Sequence, residues 1–206
     1  MMNSEAVMKK GFRFDVRTIT KIGLLSALSI AIMLLEIPLP FAPPFYKLDL
    51  SEIVVIMGGF AMGPTAAVCI EFIKILLNLL INGSITMGVG ELANFLIGCS
   101  LVVPASIIFK KMPTFKGAVI ACVSGTLLLT VVGCILNAFV LLPAYAYFFQ
   151  MPMQGLIDMG TAVNPSIDSL STFVLFAVAP FNLVKGVSVS VIVLLLYKRL
   201  LPILQK

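Results

Sequence analysis

Long uninterrupted apolar runs constrain this chain more than any other feature. Six can be marked, at roughly residues 18–35, 51–63, 65–82, 90–109, 117–142 and 171–197. A helix needs about 20 apolar residues to cross the hydrocarbon core of a bilayer. The runs are continuous and do not alternate, which favours helices over a barrel. The second run is short and the fifth is long, and GGFAMGP at 58–64 parts the second from the third with glycines and a proline. The expectation is an all-α integral membrane bundle of six transmembrane helices, a single domain over residues 1–206. Composition agrees: 60% of residues are hydrophobic and 11% charged, against about 45–50% and about 25% in soluble domains. Basic residues followed by an apolar run imitate a signal peptide at the N-terminus. No small-residue cleavage site closes that run, so it reads as a retained span.

Charge sets the orientation. The net charge is +5, and the basic residues are concentrated in three places. An arm over residues 1–17 and the start of the first run hold Lys9, Lys10, Arg13, Arg17 and Lys21. The connection after the fourth run holds Lys110, Lys111 and Lys116, and the C-terminal end Lys198, Arg199 and Lys206. With six spans all three places fall on one side, so the positive-inside rule makes both termini cytoplasmic. Asp49, Glu52, Asp158 and Asp168 fall on the other side. The basic excess therefore reports topology and not nucleic-acid binding. Two outer connections are long, at about 36–50 and about 143–170, and long connections in compact proteins are usually functional or disordered. The second is too apolar for a disordered tail and rich in aromatics and methionines.

Several chemistries are excluded. There is no His, so no Ser-His-Asp triad, and no G-x-x-x-x-G-K-[ST] loop for ATP. The four cysteines lie inside apolar runs without metal spacing and read as buried thiols. Nothing points to a metal or to a resident cofactor.

Ionisable groups within membrane segments are costly, and each needs a partner. Glu71 and Lys74, three residues apart on one helical face, suit an internal ion pair, with contact to another subunit as the rival. Glu91 near the start of the fourth run suits a capping role, while Asn94 lies deeper. Asn137 belongs to the outer half of the fifth run. Asn182 and Lys185 share a face of the sixth, with Lys185 about 14 residues, or about 21 Å, from the start of that run. So deep a lysine needs an acidic partner or a wet cavity. Two readings stand: a Glu52–Lys185 bridge pinning two spans, or an externally open pocket with amides, one ammonium and one or two carboxylates. Asp49 reads as water-facing or as a helix cap. In the first run Gly23, Ala27 and Ala31 form a small-residue stripe, suited either to internal packing or to another subunit.

Together the six-run layout, the stripe, LPFAPPFYKLDLSEI, GELANFLIG and APFNLVKG resemble the S components of energy-coupling factor transporters, specifically the riboflavin-binding type. The resemblance covers nearly the whole chain. It implies a multi-pass protein of a bacterial cell (plasma) membrane that captures a vitamin from outside. It also implies docking on a transmembrane T component with two ATP-binding subunits, so that this chain is not itself an enzyme. By the resemblance, riboflavin is the transported ligand. Glu52, Asn137, Asn182 and Lys185 line its site, with Asn94, Leu48 and Tyr46 as further members. Ala27, Ala31 and Gly23 match the docking stripe, and the connection 36–50 acts as a lid. The alternatives are an S component for another vitamin and a stand-alone membrane facilitator.

Overall fold

The computed structural model describes residues 15–40, 42–43, 45–84 and 86–205. Lys9, Lys10, Arg13 and Lys206, counted above for orientation, lie outside the described residues, as do Phe41 and Pro44 of the first long connection.

Helix α1 (Val16–Met33) begins where Asp15 accepts a hydrogen bond from the Thr18 N–H, which satisfies one orphan donor of the first turn. A two-residue antiparallel pair, β1 (Ile37–Pro38) with β2 (Lys47–Leu48), follows, a small departure from the all-helical expectation. Next come α2 (Glu52–Met62) and α3 (Pro64–Asn82). Gly63 between them takes φ +97°, which glycine adopts without a steric penalty. Pro64 then opens α3 at a position where its missing N–H costs nothing. Helix α4 covers Val89–Lys111, and α5 (Phe115–Leu136) is capped by the Thr114 side chain. A π-turn at Asn137–Leu141 carries α5 into α6 (Leu142–Phe148). The second long connection is largely helical, holding α6 and α7 (Met153–Thr161). Leu156, Ile157 and Gly160 of α7 are buried, and this cluster includes Ile167 and Phe173. Helix α8 (Leu170–Phe173), a second π-turn (Val174–Val178) and α9 (Ala179–Gln205) complete the chain.

Five helical stretches among the described residues are long and apolar enough to cross a membrane: 16–33, 64–82, 89–111, 115–148 and 170–205. The protein is an all-α membrane bundle. The second apolar run is an 11-residue helix, α2, about 16 Å long. Its environment explains its composition. Val55 and Ile56 are fully buried, and α1, α3, α4 and α9 all pack against it. A helix apolar on every side belongs in an interior. Lipid tails are as apolar as leucine, so helix association here rests on close packing and polar contacts. Gly59 of α2 lies close against Ala67 and Ser106, and Phe60 stacks on Phe109 at 4.0 Å. Leu24, Leu80, Leu127, Phe139 and Leu195 point outward, as a lipid-facing surface requires.

One end of the bundle gathers Arg17, Lys21, Lys110, Lys111, Lys116, Lys198 and Arg199. There Lys21 donates to the Leu204 carbonyl at 2.7 Å, and Lys198 sits 5.1 Å from the Phe115 ring centroid. The other end carries the strand pair, the 86–88 turn and α7.

Candidate functional site

No residue of α2 lines the space beside the turn that leads into it, where Asp49 stands. A cavity of about 430 Å³ occupies it, within the range of small-molecule sites.

Two helices bring asparagines to one wall, each beside a π-turn. Such turns widen a helix by one residue and recur at functional sites. Asn137 opens the first and donates to the Gly133 carbonyl at 2.7 Å. Asn182 follows the second and donates to the Val178 carbonyl at 2.9 Å. A side chain at Gly133 would collide with the Asn182 carboxamide, whose atoms stand 2.8 Å from where its Cβ would lie. Each carboxamide has two N–H donors and an acceptor, so both retain capacity for a ligand. Aromatic rings complete this side. Tyr46 lies 5.1 Å from Phe181 and 4.8 Å from Phe45, and Tyr145 stacks on Phe149 at 5.6 Å. Burial pushes the Tyr46 phenol above its ordinary range, so it stays a donor and gives a 2.5 Å hydrogen bond to Asn137 Oδ1. The opposite wall is polar: Asn82 donates to Asn78 Oδ1 at 2.8 Å, and Ser84 to Glu91 at 2.7 Å.

The floor is charged. Lys185 is 3.2 Å from Asp49 and 3.6 Å from Glu52. Asp49 also accepts from the Ser51 N–H at 2.7 Å, a turn that leads the chain into α2. Burial alone would raise the Asp49 carboxyl, but the ammoniums of Lys185 and Lys74 and the Ser51 hydrogen bonds hold it well below the usual carboxylate range. A depressed folded-state pKa contributes stability that is fully present above the unfolded value, about 3.9, and is lost only as pH falls through the folded one. The Lys185–Asp49 pair therefore stays ionised in mild acid. Beneath it, Lys74 reaches Glu52 at 3.1 Å and Glu71 at 2.8 Å. The register is simple: Glu52 stands eleven residues before Gly63 and Lys74 eleven after it, so the α2–α3 hairpin brings them level.

The pattern of the whole chain matches known proteins. The family model for the substrate-specific component of ECF transporters matches residues 17–197. The chain belongs to that family. This S component is 34% identical over 200 residues to the riboflavin transporter RibU of Staphylococcus aureus, covering 96% of this chain and 97% of that one. It is 32% identical to the riboflavin transporter FmnP of Bacillus subtilis, covering 91% and 93%. A solved S component of a bacterial ECF transporter superposes with a TM-score of 0.70 at 31% identity, covering 92% of this chain and 98% of that one.

Of the residues assigned to the site above, Tyr46, Asn94, Asn137, Asn182 and Lys185 line the cavity of this S component. Glu52 and Leu48 are buried but do not line it. Asp49 stands on the wall instead, three residues before Glu52. The signal for it was the Asp-x-Ser spacing at a helix start, where an Asp side chain holds a backbone N–H two residues on. Glu71 and Lys74, the pair expected from their spacing, stand 2.8 Å apart, both fully buried. The stripe faces outward: Gly23, Ala27 and Ala31 are exposed, nothing among the described residues approaches the Gly23 Cβ position within 4 Å, and Leu24 and Leu28 flank it.

Proposed function

We infer that this S component captures riboflavin in the cavity. The observation that carries the reading is the convergence of two asparagine carboxamides and one ammonium on an aromatic-walled space. The isoalloxazine ring is flat and mostly apolar, with one edge of alternating carbonyls and N–H groups. Aromatic faces suit such a ring, and a carboxamide offers both donor and acceptor to its edge. Ribityl hydroxyls suit Lys185, Asn94 and the carboxylates. Glu52 acts from beneath by holding Lys185, and Leu48 closes the base of β2. The names of the relatives support the same ligand.

In this reading the basic end of the bundle is cytoplasmic, with α2 counted as the short sixth span, and the cavity opens outward from a bacterial cell membrane. The connection 36–50 is the lid. Its Lys47–Glu36 ion pair lies at the rim. The test is a titration of the purified chain in detergent with riboflavin, followed by flavin fluorescence. Saturable, stoichiometric quenching is expected, and no binding at micromolar ligand would overturn the assignment.

The outward stripe on α1 supports docking on a T component whose two ATP-binding subunits supply the energy. Small residues let a foreign helix approach closely, and a leucine at Ala27 would hold it off. The variant Ala27→Leu is expected to bind riboflavin as the native chain does, and to lose ATP-driven uptake in vesicles containing the complete transporter. Undiminished uptake would remove the docking assignment. Uptake by vesicles holding this chain alone, without ATP, would favour a facilitator.

A further inference from the structure

Five ionisable side chains meet beneath the cavity: Asp49, Glu52 and Glu71 against Lys74 and Lys185. Glu52, Glu71 and Lys74 have no exposed surface. With every group ionised, three carboxylates would face two ammoniums. The excess negative charge would sit deep in the bundle, where an uncompensated charge is among the costliest arrangements available.

Hydrogen bonding makes the same point independently. Lys74 donates to Ser51 Oγ and to Glu52 Oε1, each at 3.1 Å, and Lys185 donates to Asp49 Oδ2. Glu71 Oε2 has the Lys74 ammonium at 2.8 Å, but two buried side-chain oxygens among the described residues have no donor beside them: Glu52 Oε2 and Glu71 Oε1. These two carboxyl groups come together. They flank the same ammonium, and both crowd Gly98 of α4, where an added Cβ would lie 2.8 Å from Glu71 Cδ and 3.2 Å from Glu52 Oε1. Ionised carboxylates only accept, whereas a protonated one also donates. A single proton between them supplies the missing donor and removes the excess charge.

The surroundings decide which group holds it. Glu52 of α2 has two ammoniums within 4 Å, Lys74 at 3.1 Å and Lys185 at 3.6 Å. Glu71 has Lys74 of its own helix. The other titratable groups around Glu71 are Glu52 and, from α4, Cys99; α1 has none between Lys21 and Glu36. Nearby positive charge favours the ionised form, so Glu52 is the anion. We propose that Glu71 carries a proton at neutral pH and donates it to Glu52, acting as a positioning residue that fixes Glu52 under Lys185 and so holds the ammonium at the cavity floor. The role in binding rests on the riboflavin reading; the proton does not.

Infrared difference spectroscopy of the full chain, native minus Glu71→Gln, reads the proton directly. A protonated-carboxyl C=O band that shifts in D2O is expected in the native protein and absent from the variant. A native spectrum without that band, or a band that survives Glu71→Gln, overturns the proposal. Riboflavin titration reads the positioning. Glu71→Ala is expected to weaken binding roughly tenfold or more, and Glu71→Gln, whose amide N–H replaces the O–H, to recover all but about threefold of it. Native-like affinity in Glu71→Ala refutes the positioning role, as does Glu71→Gln binding no better than Glu71→Ala. A native chain that binds no riboflavin would remove the ligand reading, while the infrared comparison would still decide the proton.

Discussion

Lys74→Ala is expected to lower the stability of the chain by about 3–5 kcal/mol, the cost of breaking a buried ion pair from one side. Lys74 is among the largest fully buried side chains of the described residues, and it ties three elements together. It holds Glu52 at the start of α2, Glu71 on its own helix α3, and the Ser51 hydroxyl, whose carbonyl in turn accepts from Ser29 of α1. Removing it leaves Glu52 with Lys185 alone and takes from Glu71 the ammonium beside it, in a place no water reaches. For a chain of this length the thermal midpoint should fall by roughly 10 °C. Cys122 is fully buried while Cys69, Cys99 and Cys134 are partly exposed, so with those three replaced by serine, heating in detergent with a thiol-reactive dye reports the transition. A midpoint that stays within a degree or two of the native value would show that the cluster contributes little to the fold. Lys74→Met separates the two components of the loss, because it keeps most of the side-chain volume and removes only the charge. A similar drop in both variants assigns the effect to electrostatics.

Lys185→Ala is expected to act on the ligand more than on the fold. Its ammonium is on the cavity wall, and a buried hydrogen bond from a charged donor contributes about 1–3 kcal/mol, which is roughly 5- to 150-fold in affinity. The fold is buffered against the loss. Glu52 keeps Lys74, and Asp49 keeps the Ser51 N–H at the edge of the cavity. The measurement is the same fluorescence titration, paired with a thermal midpoint. Unchanged affinity together with a lowered midpoint would make Lys185 a structural bridge between α2 and α9 and take it out of the ligand site.

The geometry of Lys185 is compatible with both readings offered by the sequence. The lysine lies 3.6 Å from Glu52 and also lines the cavity. Sequence spacing could not separate them, because one ammonium can serve a carboxylate on one side and a ligand on the other. Asp49 and Glu52 show the limit more sharply. Three residues apart at a helix start, they are equivalent by pattern. The chain enters α2 through the Asp49–Ser51 turn, which leaves Asp49 on the cavity wall while Glu52 descends into the bundle toward Lys74. The aromatic wall was legible only in part. Tyr46, Tyr145 and Phe181 are far apart in sequence, and only the packing of Tyr46 and its neighbour Phe45 against α6 and α9 brings their rings together. Nothing in the hydropathy pattern marks the π-turns, since an added residue within an apolar helix leaves composition unchanged.

Apolar run length determined from sequence alone that the chain is a helical membrane bundle, because bilayer thickness and backbone hydrogen bonding leave few other solutions. The motif stretches likewise led to the family. The tertiary structure decided which polar side chains share a cavity, which are sealed beneath it, and that the α1 stripe looks outward. Those facts depend on the rotation of each helix about its axis and on contacts between residues as distant as Asp49 and Lys185. A one-dimensional pattern contains neither.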